Sequence, residues 1–121
     1  MTKAIRFHEL GGPEVLKLED VDLGAPGPGQ LLINQTAIGM NFRDIYRRIG
    51  QHPVDSFPAA LGIEGAGLVE AVGAGVKDFF VGERVVAQGG PDGAFAEARI
   101  VPAARVAALP DDIDDKTAAA M

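Results

Sequence analysis

The side chains best suited to chemistry lie in one stretch of the first half of the chain. Asn41, Asp44 and Tyr46 follow one another closely, and His52 comes shortly after them. Groups of this kind could hold a carbonyl oxygen while negative charge develops on it during reduction. A second explanation stays open, in which Asn41 only caps a helix and Tyr46 packs with its hydroxyl at the surface. His52 lies in a loop beside the candidate site, which makes it a better functional candidate than His8.

Glu64 is a second candidate, because it lies within an apolar, glycine-rich segment, residues 60–67. A carboxylate is costly to bury without a partner. It could therefore face solvent, pair with an arginine or line an active site. The sequence leaves a structural salt bridge and a functional role equally open.

The glycines near Glu64 do not form a phosphate-binding motif. Those of residues 62–67 have the wrong spacing for a dinucleotide-binding fingerprint, and residues 73–78 lack its third glycine. Neither run opens a helix, which the mechanism requires because the phosphate binds at a helix N-terminus. We interpret these glycines as positions where a strand bends or where another backbone approaches closely.

The sequence offers little to hold a metal ion. It contains no cysteine, and its two histidines, His8 and His52, are far apart. Disulfides, thiolate metal sites and a cysteine nucleophile are therefore excluded. We predict no metal site.

Composition also limits the partners. The formal net charge is −6, which disfavours non-specific attraction to nucleic acid or to an anionic membrane. No apolar run approaches the roughly 20 residues that span a bilayer, and the first residues lack the features of a signal peptide. We therefore expect a cytoplasmic protein that binds neither nucleic acid nor membranes.

These candidates must be positioned by short elements, because sixteen glycines and eight prolines divide the chain. Strands at close spacing, separated by glycine turns, predict a mainly β barrel or sandwich and disfavour a doubly wound parallel sheet. The second strand should pair back on the first. The predicted strands are residues 2–8, 15–21, 30–38, 61–73, 82–87, 94–101 and 105–109.

One internal helix is predicted over residues 39–50, with Asn41 as its cap and Gly50 at its end. Arg43 and Arg47 share one face of it and, with Arg48, form a basic patch. We interpret this patch as solvated, with contact to a cofactor phosphate or a partner domain as the alternative. A second helix begins within residues 111–121, where four acids suit a helix start. Apolar residues recur at helical spacing in the first helix: Phe42, Ile45, Tyr46 and Ile49.

Taken in order, four segments resemble the zinc-free quinone oxidoreductases, the zeta-crystallin-like branch of the medium-chain dehydrogenase/reductase superfamily. Residues 7–16 are similar to the family's opening hairpin, and residues 37–50 to its substrate-side helix. Residues 61–76 are similar to its glycine-rich strand pair. Gly82-Glu83-Arg84-Val85 is similar to its Gly-Asp-Arg-Val turn.

The resemblance implies a GroES-like β-barrel beside a Rossmann domain, with NADPH in the cleft between them. Zinc-dependent alcohol dehydrogenases carry a cysteine where this chain has Asn41 and a histidine where it has Ile63, so the resemblance implies a zinc-free enzyme. It implies catalytic roles for Tyr46, Asn41 and His52, and places Asn41, Asp44 and Tyr46 at the nicotinamide end of the cleft. Position 52 is often tyrosine in the family.

The implied reaction is the NADPH-dependent reduction of a quinone or related conjugated carbonyl. The alternatives are an enoyl reductase of the polyketide or fatty-acid type and a non-enzymatic GroES-like module. Residues 1–110 would form the substrate domain, and residues 111–121 would begin the helix that leads into the cofactor domain. We therefore expect a fragment that is truncated before the Rossmann domain, inactive by itself and part of a homodimer when full length.

Overall fold

The computed structural model describes residues 2–120, and strands dominate them. Short 3-10 turns at Pro13–Val15 and Ala103–Arg105 precede two of the strands. The peptide bond between Phe57 and Pro58 is cis. The strands are β1 (Thr2–Phe7), β2 (Leu16–Val21), β3 (Gln30–Ile38), β4 (Ala59–Ala60), β5 (Glu64–Val72), β6 (Arg84–Gln88), β7 (Ala98–Pro102) and β8 (Val106–Ala108), and the helices are α1 (Phe42–Ile49) and α2 (Asp115–Ala119).

The strands form two antiparallel sheets. One has the order β2-β1-β4, and the other has the order β7-β3-β5-β6-β8. Strand β2 pairs back on β1 from Thr2↔Val21 to Phe7↔Leu16, as the turn between them predicts. The mainly β prediction is therefore confirmed.

The segment at residues 95–97 joins the two sheets. Ile5 donates to the carbonyl of Phe95 at 2.8 Å, and Glu97 donates to the carbonyl of Lys3 at 2.9 Å. The carbonyl of Glu97 also accepts from Gln35 of β3 at 2.7 Å. Residues 95–97 are thus hydrogen-bonded to a strand of each sheet and join β1 to β3.

Strand β3 follows the predicted alternation, with Leu31 and Ile33 buried in the larger core. The glycines of β5 face this strand. A Cβ at Gly67 would collide with the carbonyl oxygen of Asn34, close to the shift in register between Gln35 and Ala37. Glycine is used here for close backbone approach and not for phosphate binding.

Several predicted boundaries were wrong. The strand predicted over residues 61–73 begins only at Glu64, as β5, because the backbone turns at Gly62, whose φ is 96°; the short strand β4 before this turn was not predicted. Strand β7 begins later than predicted, because residues 94–97 join the two sheets instead of extending the ladder. Smaller shifts affect the strands predicted over residues 15–21, 82–87 and 105–109.

Helix α2 begins at Asp115, within the segment where a second helix was predicted to begin. Asp114 caps it by accepting from the backbone N–H of Thr117 at 2.7 Å, whereas Asp111 and Asp112 precede the helix. Ala118 and Ala119 are buried against the larger sheet. Met121, the last residue of the predicted helix, lies outside the described residues. Between residues 2 and 120 no helix is long and apolar enough to cross a membrane.

Candidate functional site

Two hydrogen bonds to the Asp44 carboxylate hold the start of helix α1. Asn41 is the N-cap residue, and its backbone N–H donates to Asp44 Oδ2 at 2.9 Å. The other oxygen of Asp44 accepts from the backbone N–H of Gly62 at 3.2 Å. Asp44 is almost fully buried, so its carboxylate satisfies the helix end and ties it to the segment before β5. Gly50 ends the helix in the left-handed region, as predicted.

The apolar face of α1 points outward. The residues at helical spacing are exposed, whereas the acid among them is buried. A surface helix ordinarily buries its apolar face, so this arrangement leaves an apolar surface without a covering element among residues 2–120. Its members are Phe42 at 75%, Ile45 at 41%, Tyr46 at 40% and Ile49 at 41% exposure.

Tyr46 and His52 lie together on this exposed side. Their ring centroids are 5.9 Å apart at an interplanar angle of 47°. The carbonyl of Tyr46 accepts from the backbone N–H of Gln51 at 2.8 Å and from that of His52 at 3.1 Å, which folds the loop back on the helix end. Arg47 holds the same loop, because its Nη1 donates to the carbonyl of Pro53 at 3.3 Å.

Asn41 has a different neighbour. Its Nδ2 donates to Oε1 of Glu64 at 3.2 Å. Glu64 is buried, which excludes the solvent-facing arrangement, and no ion pair within residues 2–120 includes it. The sequence left an arginine open as the partner of Glu64, and the structure shows the side-chain amide of Asn41 instead.

The basic patch of α1 is paired within the chain. Arg43 Nη1 binds Asp92 Oδ1 at 2.6 Å, and Arg47 Nε lies 3.5 Å from Asp92 Oδ2. The hydrogen bond to Asp92 raises the pKa of the Arg43 guanidinium above its ordinary value. The remaining arginine, Arg48, donates to the carbonyl of Gly11 at 3.0 Å. The interpretation of this patch as solvated was therefore wrong. Its arginines join α1 to the loops that contain Asp92 and Gly11.

A role for Asp92 was not predicted from the sequence. It lies in a loop of glycine and proline, where an acid carries no periodic signal. Arg99 of β7 holds this loop in place, because its Nη2 donates to the carbonyls of Gly89 at 3.2 Å and Pro91 at 2.9 Å. Burial lowers the pKa of the Arg99 guanidinium, and the charge of Asp92 acts in the opposite direction.

Two cavities flank the pair of Asn41 and Glu64. Asn41 lines an apolar cavity of about 430 Å³ together with residues of α1 and its surroundings, including Met40, Phe42 and Leu61. Glu64 lines a cleft of about 360 Å³ on the other side, beside β6, β8 and α2. The hydrogen bond between the two side chains therefore joins a residue that lines one space to a residue that lines the other.

The structure brings the candidate residues together in two groups. Tyr46 contacts His52, and Asn41 is bound to Asp44 through its backbone and to Glu64 through its amide. His8 is elsewhere, with Nε2 at 2.9 Å from Glu19. Within residues 2–120 no three His, Cys, Asp or Glu side chains cluster as metal ligands would.

Comparison with known proteins identifies the domain. Residues 27–111 match the alcohol dehydrogenase GroES-like domain family. The chain is 46% identical over 121 residues to a quinone oxidoreductase of Pseudomonas aeruginosa, covering all of this chain and 37% of that protein. It is 45% identical over 117 residues to a 2-haloacrylate reductase of Burkholderia sp, covering 94% of this chain and 35% of that protein.

A solved structure extends the likeness to the fold. The quinone oxidoreductase of Escherichia coli, crystallised in complex with NADPH, superposes with a TM-score of 0.95 at 39% identity. The match covers 98% of this chain and 36% of that one. The chain therefore spans little more than a third of the length of these relatives.

Proposed function

The chain belongs to the alcohol dehydrogenase GroES-like domain family, and we propose that it forms the substrate-side domain of an NADPH-dependent reductase. The acceptor is a quinone or a related conjugated carbonyl. Residues 1–110 form this domain, and residues 111–121 lead into the cofactor-binding part of a homodimeric, cytoplasmic enzyme. The relatives named for quinone reduction support this proposal, as does a relative complexed with NADPH.

One observation carries the proposal: the exposed pair of Tyr46 and His52 on an uncovered apolar surface. Their rings lie 5.9 Å apart, and both side chains reach solvent. A flat, uncharged acceptor ring suits such an apolar surface, and its carbonyl oxygen needs a donor at the edge. The phenol and the imidazole supply donors of that kind.

The residues present fit the nicotinamide end of NADPH and not its phosphates. Asn41 offers a neutral amide beside an apolar cavity of about 430 Å³. The positive charges of Arg43 and Arg47 are already paired with Asp92, so they do not form a free phosphate site. When bound, NADPH supplies the hydride, and the rest of the full-length protein holds most of the cofactor.

The side chains of this domain bind and orient the acceptor. Tyr46 and His52 donate hydrogen bonds to the acceptor oxygen and stabilise the negative charge that develops there. Asn41 holds the nicotinamide end, and Asp44 fixes Asn41 through the backbone hydrogen bond of 2.9 Å. Reduction then depends on positioning and hydrogen-bond donation, with no metal ion in the proposed scheme.

An enoyl reductase is the second candidate. One relative is named for 2-haloacrylate, an unsaturated acid, at 45% identity. The two candidates differ in the group beside the double bond, and a donor at the acceptor oxygen serves both of them. The non-enzymatic GroES-like module stays the third candidate, because this chain spans only part of its relatives.

Steady-state assays on the full-length protein separate these candidates. We expect NADPH oxidation with a quinone to have a higher kcat/KM than with an enoyl thioester. Turnover of the thioester alone would instead assign an enoyl reductase. The absence of turnover with either acceptor, in a protein that forms a seven-membered ring by size exclusion, would favour the non-enzymatic module.

A further inference from the structure

Glu64 has no role in the reduction scheme above, although it is buried beside one of its donors. Its side chain is 7% exposed. Its hydrogen-bonding partner is the amide Nδ2 of Asn41 at 3.2 Å. A buried carboxylate beside an uncharged group is costly, so its presence calls for a reason other than stability.

Hydrogen-bonding chemistry supplies that reason. An ionised carboxylate has only acceptors, whereas a carboxamide has a donor end and an acceptor end. Glu64 therefore determines which end of the Asn41 amide turns toward it. With Nδ2 directed at Glu64, the carbonyl oxygen Oδ1 and the second N–H of Asn41 are left for a ligand.

Both partners of this hydrogen bond are held in place. The backbone of Asn41 is fixed by its bond to Asp44 at 2.9 Å. On the other side, a Cβ at Gly39 would collide with Glu64 Oε1 and with the carbonyl oxygen of Ala119. The carboxylate is thus packed between the end of β3 and the end of α2, which restricts its rotation.

We propose that Glu64 is a positioning residue, which fixes the amide of Asn41 so that Oδ1 and one N–H face the ligand. That pairing of one acceptor and one donor is complementary to a primary carboxamide, the group that nicotinamide carries. The inference rests on the proposed function, because it specifies what Asn41 presents at the cofactor end of the same site.

Steady-state kinetics of the full-length enzyme test the coupling between the two residues. Glu64→Gln can turn either end of its own amide toward Asn41, so the fixed orientation is lost. We expect kcat/KM to fall about 10- to 100-fold, the rate equivalent of one hydrogen bond to a charged group. Glu70→Gln, an exposed residue of the same strand, is the matched control and should leave kcat/KM unchanged.

A double-mutant cycle distinguishes positioning from a general structural effect. In the Asn41→Ala background, Glu64→Gln should cause no further loss, because the amide that it orients is gone. An equal loss in both backgrounds would overturn the proposal, as would an unchanged kcat/KM in Glu64→Gln alone.

Exchanging the two groups gives a second test. Asn41→Asp with Glu64→Gln restores a hydrogen bond between the positions but offers the ligand only acceptors. We expect the melting temperature to recover relative to Asn41→Asp, while kcat/KM stays low. Recovery of kcat/KM together with stability would reduce the pair to a structural contact.

A spectroscopic measurement keeps this proposal separate from the reductase assignment. In full-length protein labelled with ¹⁵N-asparagine, the side-chain resonance of Asn41 is identified by its loss in Asn41→Ala. We expect Glu64→Gln to shift it and Glu70→Gln to leave it in place. An unshifted resonance overturns the positioning of Asn41 whether or not the protein reduces quinones, whereas a shift without turnover contradicts only the reductase.

Discussion

The two helices found within residues 2–120 are built in opposite ways. Helix α2 buries Ala118 and Ala119 against the larger sheet and exposes Lys116 and Thr117. Helix α1 buries an acid, Asp44, and exposes its apolar residues. The hydrophobic effect explains the orientation of α2 directly. It does not explain α1, whose orientation is fixed by polar contacts at its ends and by arginines along its side.

The difference between the helices indicates which of them can bind a ligand. A helix that gains stability from its apolar face has little freedom to present that face to a ligand. Helix α1 is instead held by Asp44 and by the binding of Arg43 and Arg47 to Asp92. Its apolar surface stays available, with Tyr46 on it. Loss of a hydrogen-bond donor from the exposed face of α1 should therefore lower activity, whereas loss of its buried polar contacts should lower stability.

The largest expected effect is on turnover. Tyr46→Phe in the full-length enzyme removes one donor from the exposed face, and loss of one such donor lowers kcat about 100-fold. The free energy of unfolding should change by less than about 0.5 kcal/mol, because the side chain is half-exposed. Quinone reduction and urea unfolding measure the two quantities on the same preparation.

The matched control is Ile49→Val, on the same face of α1. It removes one methylene and no donor, so kcat should stay at the wild-type value. An unchanged rate in Tyr46→Phe would show that the exposed face of α1 presents no donor to the acceptor, and the contrast with α2 would then concern packing alone.

The next effect is on stability. Asp44→Ala leaves the backbone N–H groups of Asn41 and Gly62 without their acceptor, and such a loss costs about 2 kcal/mol. The comparable position of α2 is Thr117, the third residue of its helix, which is exposed. Thr117→Ala should cost no more than about 0.5 kcal/mol.

Urea unfolding of the two variants decides between the two modes of attachment. Equal losses in Asp44→Ala and Thr117→Ala would mean that the buried acid contributes no more than a surface side chain. In that case another contact, such as Arg47 with the carbonyl of Ala60 at 3.0 Å, must hold α1.

The bounds of some elements could be predicted from the sequence, whereas the contacts between distant residues could not. The bounds of β3 and the ends of α1 at Asn41 and Gly50 were predicted correctly, because alternation and capping residues are local signals. The direction of the apolar face of α1 was not predictable, since its partners are distant in sequence. Asp92 lies in a loop that gives no periodic signal.

Glu64 is a further residue whose partner could not be predicted from the sequence. Its position in an apolar segment marked it as unusual, but its partner could not be named. The Asn41 amide is brought to it only when the end of β3, the start of α1 and β5 meet. A single residue whose burial costs free energy can be recognised from the sequence. The contacts that offset this cost depend on the fold.

The smallest effect concerns how the first turn of α2 is attached. Asp115 accepts hydrogen bonds from Thr36 and from Arg84 Nη2, the latter at 2.8 Å. The bond from Thr36 and then that from Arg84 lower the pKa of the Asp115 carboxyl below its ordinary value of 3.8. Because the ion pair is partly exposed, Asp115→Asn should cost only about 0.5 to 1 kcal/mol near neutral pH.

The sign of the pH dependence follows from that lowered pKa. The unfolded chain binds a proton at Asp115 more readily than the folded chain, so this contribution is complete above pH 3.8 and is lost as the pH falls through the lower, folded value. Urea unfolding at neutral pH and at about pH 3 should therefore show a smaller acid-induced loss in Asp115→Asn than in the wild type. Asp112→Asn, an exposed position before the helix, should match the wild type at both pH values. An equal acid-induced loss in all three proteins would mean that α2 is held by its buried alanines alone, which would make its contrast with the polar attachment of α1 complete.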